Sequence, residues 1–521
     1  MAQLVRRRKK SARPKLALSP PSGELAGMIR EVGVDRFAFV CVDPAKLRSR
    51  WMMTDFLGSI LIAPATVEHT SAHLKAAVDR VRMTVQEAGL KTVWVIVERT
   101  GQYHLPVQRA FAAAGFTTRI VHPFATKQYR VIDNPGVKTD DTDLVAQHRA
   151  AVAGFGLIER PIEGVYRTLQ LLSRHRRDLV EKSSILCCQL QEHLHLVMPG
   201  YAKCFDDLWK SPVALPIARR TGTPQALLDL GVTGLTRWLR ETNLRCRAST
   251  IDRLLAWARE AAPPAPHEIL HQRIWTALDE DRLAKRREIQ ALERELVTAL
   301  VQTPFVLLMA IPGINVVSAA ELAAEMGPIA HYANPNAITG RAGLFPSRYQ
   351  SDEVDLANGP LIRCANRRLR AALLRIGDNL VVNNRWFRAA ADVQRIRQVD
   401  ERKIRVRAAK QFTRLAYVVL ADRQVLRHPC CQPGDAILAK LSEFHRQREA
   451  PATQLLADLK VAVDQLPKEA YTHEADALSA KLQTHVTRRH GPAPLGELLP
   501  PILARLTKTT SAEPTEAQAS S

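Results

Sequence analysis

The chain is short of acidic residues. Against 52 Asp and Glu stand 74 Lys and Arg in 521 residues, a formal net charge of +22. A field of that sign attracts polyanions, and nucleic acid is the leading class of partner. Acidic membrane surfaces are the rival class, but there is no lipid-anchor motif and no aromatic-rich amphipathic helix to favour them. Long hydrophobic runs are missing as well. The longest candidate, residues 307–324, is broken by Pro312, Gly313, Asn315 and Glu321, whereas a membrane span needs an unbroken run of about 18 residues or more. A basic cluster at residues 6–10 is followed by no apolar stretch, so the expectation is an arm that touches phosphates rather than a secretory signal. Cysteine is sparse and unpatterned: eight residues and no CxxC pair. That argues against a zinc ribbon or a disulfide framework and for reduced, structural thiols. Metal binding by the run His428-Pro429-Cys430-Cys431 is the alternative to that reading.

Hydrophobic periodicity divides what remains. Residues 1–30, with Pro14, Pro20 and Pro21, read as a basic disordered arm. From residue 36 the pattern alternates strand and helix. Residues 37–42, 51–56 and 59–63 read as strands, with Gly58 at a tight turn between the last two. Thr70 or Ser71 caps a helix with the stripe Leu74, Ala77, Val78, Val81 and Val85, stopped by Gly89. The apolar run 93–97, ending in Glu98, suits a strand buried on both faces. A helix over 105–114 and a short strand over 119–121 follow. This βββαβαβ order predicts a mixed sheet flanked by helices over residues 31–160. Beyond it the chain turns helical. Leu172, Leu179 and Leu186 recur every seven residues, and Ile289, Leu292, Leu296 and Ala299 follow a 3-4-3 spacing. These stretches predict two long helices that pair as a coiled coil or in a bundle within residues 161–303, with an insertion at 200–268. A compact unit over 304–390 precedes a basic helical extension over 391–505 and a Ser/Thr/Glu/Ala-rich tail, 506–521, that reads as disordered. Residues 363–407 alone hold twelve Arg and one Lys against four acids.

One set of residues suggests chemistry in the mixed-sheet region. Asp43 follows a buried strand and Glu98 ends another, the place where open sheets build sites. Asp140 and Asp143 lie in Lys138-Thr139-Asp140-Asp141-Thr142-Asp143; if this run opens a helix, positions i and i+3 share a face. Four converging carboxylates repel unless cations neutralise them. Hard divalent ions with oxygen ligands do so, and two of them clamp the attacking and leaving oxygens of a phosphodiester. The competing interpretation is that these acids only cap strands and helices.

The order of the motifs narrows the choice. Asp43-Pro44-Ala45-Lys46 with Gly58 fifteen residues later, Glu98-Arg99-Thr100-Gly101-Gln102-Tyr103, and the run 138–143 resemble, in sequence and order, the D-x-A-K, E-x-T-G-x-Y and K-T-D-x-x-D motifs of the DEDD-type transposases of the bacterial "one-ten" insertion-sequence family. The resemblance implies an RNase H-like (resolvase-type) domain with Asp43, Glu98, Asp140 and Asp143 as ligands for Mg²⁺ or Mn²⁺. The residues before Asp43, Val40-Cys41-Val42, depart from the family's Gly-Ile, and Asp35 in Gly33-Val34-Asp35 is a rival first acid.

The unit over 304–390 carries a second group of motifs. Ala310-Ile311-Pro312-Gly313-Ile314 before an apolar helix resembles a helix-hairpin-helix element, whose backbone N–H groups around Gly313 hold a phosphate; a turn packed in a core is the alternative. Gly340-Arg341-Ala342-Gly343-Leu344-Phe345-Pro346, Gln350-Ser351 and Asn366-Arg367-Arg368-Leu369-Arg370 resemble, in order, the family's C-terminal transposase domain. By that resemblance Ser351 is a nucleophile that forms a covalent phosphoserine link to DNA. Ser347 is the alternative, and Asp352 stands where the family commonly has Gly, followed by Glu353 and Asp355. Arg363, Arg367 and Arg370, at i, i+4 and i+7, predict an arginine face for a nucleic-acid backbone, with Lys138 as a further contact.

The expectation for the whole chain is an α/β plus all-α protein. It comprises an RNase H-like domain, a coiled-coil linker and a mainly helical serine transposase domain with a helix-hairpin-helix-like element. The resemblance implies a cytoplasmic, nucleoid-associated bacterial recombinase that acts on donor and target DNA, uses a noncoding guide RNA and works as a dimer or tetramer. It further implies that the carboxylate and serine domains supply two parts of one active centre. A metal-only junction-resolvase-like nuclease and a non-catalytic nucleic-acid-binding relative are the alternatives.

Overall fold

The computed structural model describes residues 23–467 except 134, 157–161, 163, 352–353, 357–358, 364, 426–431 and 433–434. The expected arm before residue 23, the His428–Cys431 run and the tail after 467 therefore lie outside the described residues. The chain divides into two compact units, Met1–Pro161 and Ile162–Ser521.

In the first unit, residues 23–30 are not part of a disordered arm. They open helix α1 (Gly23–Val32), because Leu25, Met28 and Ile29 give it an apolar stripe that packs into the core. Strands β1 (Phe37–Pro44), β2 (Arg48–Asp55) and β3 (Ile60–Glu68) form an antiparallel meander. Helix α2 (Ser71–Glu87) starts where Thr70 accepts from the His73 N–H. Strand β4 (Thr92–Glu98) then returns parallel to β1, and after α3 (Leu105–Ala113) strand β5 (Thr117–Val121) lies parallel to β4. The sheet order is β3-β2-β1-β4-β5. Helices α4 (Pro123–Asp133) and α5 (Asp140–Val152) complete the unit.

Strand alternation sorts the core into two faces. Ala38, Val40, Val42, Val93, Val95 and Val97 meet Leu74, Val78 and Val81 of α2 and Val107 and Phe111 of α3. Phe37, Phe39, Cys41, Trp94 and Ile96 meet Ala125 of α4 and Leu144, Ala150 and Ala151 of α5. The central strands are thus apolar on both sides, which explains their unbroken hydrophobic runs. The mixed sheet and its flanking helices follow the predicted order and are consistent with the RNase H-like domain that the resemblance implies, and the second unit is mainly helical as expected.

In the second unit α6 (Gly164–Val197) packs along α10 (Leu270–Leu300) as an antiparallel hairpin. Arg176 of α6 pairs with Glu293 of α10 near one end, and His193 contacts His271 near the other. The predicted pairing of the two long helices is therefore present within one chain. Only part of the seam is apolar: Leu179 and Leu296 are buried, while Leu172, Leu186, Ile289 and Leu292 are half-buried. The insertion at 200–268, whose sequence carries several short helical patterns, forms α7 (Ala214–Thr221), α8 (Pro224–Glu241) and α9 (Ala248–Glu260). These close a second core with Leu190 and Leu194 of α6 and Trp275 of α10. A 3-10 segment (Pro304–Ala310) leads into α11 (Val316–Met326), α12 (Pro335–Ala342), the hairpin β6 (Tyr349–Ser351) and β7 (Val354–Leu356), α13 (Arg367–Asn383), α14 (Arg385–Ile396), α15 (Glu401–Asp422), α16 (Asp435–Gln447) and α17 (Ala452–Gln465). One apolar core joins the 3-10 segment, α11, α13, α15, α16 and α17. Among the described residues no helix is long and apolar enough to cross a membrane.

Candidate carboxylate centre

The strand period places the first two acids. Asp43 follows Phe37, Phe39 and Cys41 on the face of β1 that α5 covers, and Glu98 follows Trp94 and Ile96 on the same face of β4. The parallel register pairs Val42 with Val97, so the next residue on each strand is Asp43 and Glu98. Both stand at the carboxyl ends of adjacent strands. Asp35, the rival, sits in a 3-10 turn before β1, at the opposite end of the strand.

The helix start places the other two. The Thr139 hydroxyl accepts from the Thr142 N–H at 3.1 Å, and the Thr142 hydroxyl accepts from the Thr139 N–H at 2.9 Å. This reciprocal cap begins α5 at Asp140. Asp140 and Asp143 occupy its first and fourth positions; Asp140 is exposed and Asp143 is buried.

The charges feel one another. Burial, then Glu98, Asp143 and Asp140, push the Asp43 carboxyl up to about 7, with Lys138 pulling the other way. Burial raises Glu98 too, and Asp143 adds to the rise; the Thr126 hydroxyl, Lys138 and Arg130 oppose it. The Thr126 oxygen faces Glu98 without meeting the geometry of a full hydrogen bond. A carboxylate held at a raised pKa by burial and by its neighbours is relieved by a cation. The donor set, oxygen only, fits a hard divalent ion. As positioned, no three acids, histidines or cysteines among the described residues close on a single point.

Two arginines that the sequence did not single out complete the centre. Arg130 of α4 donates to Asp143, with side-chain exposures of 15% and 9%. Arg50 of β2 lies directly opposite Asp43 in the β1–β2 register. Its Nε and Nη2 donate to the two Asp141 oxygens at 2.7 and 3.3 Å. The pair holds the exposed Asp141 carboxyl below its ordinary value. A cleft of about 490 Å³ opens here, and Asp43, Asp140, Asp141, Arg48, Arg50 and Thr66 are among the residues that line it. Arg50 had one sequence signal: it alternates with Trp51 and Met53 on a strand whose partner carries Asp43.

Elsewhere the predicted contacts fare unevenly. Lys138 is exposed beside the carboxylates. Gly58 turns from β2 to β3 at φ +103°, and a Cβ there would meet the His148 ring of α5 at 3.5 Å. Gly313 does not present an open phosphate cradle. It sits half-buried at φ +97°, where a Cβ would lie 3.0 Å from the Asn379 carbonyl oxygen of α13. The following helix α11 is capped by its own Asn315 and Ser318. The arginine face is also corrected. Asn366 caps α13 and starts it at Arg367, leaving Arg363 in the preceding loop. Arg370 points inward, donating to the Ala342 and Ile362 carbonyls. Arg367 alone of the three is exposed on the helix. Ser351 is the last residue of β6, in register with Val354, while Asp352 and Glu353 lie outside the described residues. Ser347 pairs through its backbone with Gly359 and Pro360.

Comparison with known proteins gives three matches. Residues 40–199 match a family model of DEDD type described as "Transposase". Residues 306–392 match one described as "Transposase IS116/IS110/IS902 family". A relative from Streptomyces clavuligerus, "Insertion element IS116 uncharacterized 44.8 kDa protein", is 29% identical over 213 residues, 40% of this chain and 53% of the relative. The chain thus aligns with about half the length of that relative. A DEDD-type family implies a divalent metal ion. Two ordered segments of the chain, one ending its central strands in the Asp43 and Glu98 pair and the other holding the Ser351 hairpin, are thus similar to DEDD-type transposases and to transposases of the IS116/IS110/IS902 family.

Proposed function

We propose that this chain is an insertion-sequence transposase that cuts and rejoins DNA strands, with Asp43, Glu98, Asp140 and Asp143 as ligands for Mg²⁺ or Mn²⁺ and Ser351 as nucleophile. The observation that carries the reading is the meeting of Asp43 and Glu98 at adjacent parallel strand ends, beneath a helix that begins with Asp140 and Asp143. Bound divalent ions would neutralise the four carboxylates and supply electrostatic stabilisation to oxygens that gain charge as a phosphodiester breaks. The chain's own groups do the rest. Lys138, at the rim of the carboxylates, offsets their repulsion toward a phosphate. The Ser351 hydroxyl gives up its proton and bonds to phosphorus; the 3′ oxygen leaves and takes up a proton. The phosphoserine link conserves the bond energy for rejoining. Donor and target DNA, a noncoding guide RNA and further copies of the chain are the proposed partners, on the strength of the family and the +22 charge.

The test is to incubate the full chain with a DNA carrying its element's end, then trap and map any protein–DNA adduct by mass spectrometry. The expected result is an adduct at Ser351, absent in Ser351→Ala and in Asp140→Ala. Cleavage that survives Ser351→Ala but not Asp140→Ala would replace this reading with a metal-only nuclease. DNA processing untouched by either change would leave a binding protein without catalysis.

A further inference from the structure

We propose that Arg48 is a phosphate-binding residue of the carboxylate cleft, gripping a backbone phosphate next to the one that reacts, and that the Arg50–Asp141 pair positions the wall on which it stands. The inference rests on the transposase reading for its substrate class but on separate observations for its residues. Arg48 and Arg50 are two apart on β2, so strand alternation puts both on one face of the sheet. The register opposes Arg50 to Asp43 on one side and to Thr66 on the other. That is the face on which the carboxylates lie, and Arg48, Arg50 and Thr66 line the same 490 Å³ cleft as Asp43, Asp140 and Asp141.

The two arginines are in different states. Arg50 is fully engaged. Its guanidinium takes both oxygens of Asp141, and its Nη1 donates to the Thr66 hydroxyl at 3.3 Å. It ties β3, β2 and the start of α5 together. Arg48 is exposed and makes no side-chain hydrogen bond or ion pair among the described residues, although three carboxylates line the same cleft. Its charge is uncommitted where a polyanion must approach a nest of acids. A guanidinium fork matches two phosphate oxygens at once, which a lysine does not. Such a contact fixes the register of a strand without reading its sequence. The reacting phosphate falls to the carboxylates, and its neighbour to Arg48.

The experiment is ethylation interference on the element-end DNA bound by the full chain in EDTA, with the salt dependence of binding measured alongside. In the wild type, ethylating a phosphate that flanks the cleavage position blocks binding. Arg48→Ala is expected to lose interference at that phosphate, weaken binding alike on every sequence and flatten the salt slope by about one. Arg48→Lys should regain the slope but not the interference in full. Arg80→Ala, an exposed charge loss on α2 against the other sheet face, is expected to keep the whole pattern. An unchanged footprint and slope in Arg48→Ala would overturn the proposal, as would the same change in Arg80→Ala. Neither result touches the transposase reading, which stands or falls on whether Asp140→Ala abolishes strand cleavage.

Discussion

Arg130→Met removes the cation from the carboxylate centre and keeps a long apolar stem. Arg130 and Asp143 are mostly buried, at 15% and 9% side-chain exposure. Asp143 also acts on Asp43 and Glu98, raising both. Without the guanidinium, a buried carboxylate is left beside two others that repel it. Removing one partner of a buried pair costs about 3–5 kcal/mol. In a unit of roughly 150–250 residues each kcal/mol moves the melting midpoint by about 2–4 °C. The N-terminal unit of Arg130→Met is therefore expected to melt on the order of 10 °C lower in EDTA. A divalent ion replaces the missing charge. At about a hundredfold excess over its Kd a ligand returns about 2.7 kcal/mol, more than half of the lower bound of the loss. Mn²⁺ should thus rescue the variant by several degrees, and shift the wild type less, because Arg130 already occupies Asp143. Calorimetry of both proteins with EDTA and with Mn²⁺ measures the four midpoints. Equal deficits in EDTA and Mn²⁺ would show that Arg130 is a packing residue unrelated to the ion. No deficit at all would show that Asp143 is not held by the pair.

Two further outcomes follow from the same structure. Asp43 has its carboxyl raised from 3.8 to about 7. A group that binds its proton more tightly when folded favours the folded state at low pH, so without an ion stability falls as pH climbs from about 4 to 7. Ion binding needs the carboxylate, so affinity should tighten over the same rise, with release of a proton, and level off above 7. Calorimetric titration in two buffers of different ionisation enthalpy reads the proton, and affinity flat from pH 5.5 to 8 would refute the coupling. In the second unit, Gly313→Ala meets both a φ of +97° and a Cβ 3.0 Å from the Asn379 oxygen. Strain of that kind costs about 1–3 kcal/mol, read from urea unfolding of the full chain; a loss below about 0.5 kcal/mol, the range of an ordinary surface change, would show that the turn yields freely.

The sheet was legible because its signal is periodic. Apolar runs at 37–42 and 93–97 belong to strands buried on both faces, and an acid that ends such a run has to emerge at the strand's end. Helix α5 was legible through Thr139 and the acids of its first turn. Helix α4 was not. Phe124, Val131 and Ile132 face solvent at 55%, 47% and 74% exposure, while the small Ala125 and Thr126 are buried and Tyr129 packs against the core. With most of its large apolar side chains outward, nothing in the sequence put Arg130 beside Asp143. The arginine face failed at a boundary. The i, i+4, i+7 spacing is helical only if the helix already runs at residue 363, but Asn366, whose side chain accepts from the Arg368 and Leu369 N–H groups, starts it afterwards. Composition overstates the free charge of this stretch for a related reason. Arg375 pairs with Glu321, Arg405 with Asp378, and Arg395 with Asp392 and Glu401.

The same spending of charge defines the chain beyond the matched segment. The family segment ends at residue 392, yet the core around it does not. Ile404, Phe412 and Val419 of α15, Ile437 and Leu441 of α16, and Leu459 and Val463 of α17 share one apolar cluster with Phe305, Leu307 and Leu322. The tie is polar as well. The Lys440 ammonium donates to the carbonyls of Met309, Ile311 and Ile314 at 2.6, 3.4 and 3.1 Å, and its burial lowers its pKa to about 8. Those carbonyls flank Pro312 and Gly313, so the turn first read as a phosphate cradle is pinned from behind by a lysine of the extension. An added nucleic-acid arm would keep its lysines in water, where an ammonium loses nothing to desolvation. One that gives up hydration to hold three backbone carbonyls is a structural part. The extension completes the core of the unit that carries Ser351 and fixes the turn ahead of α11.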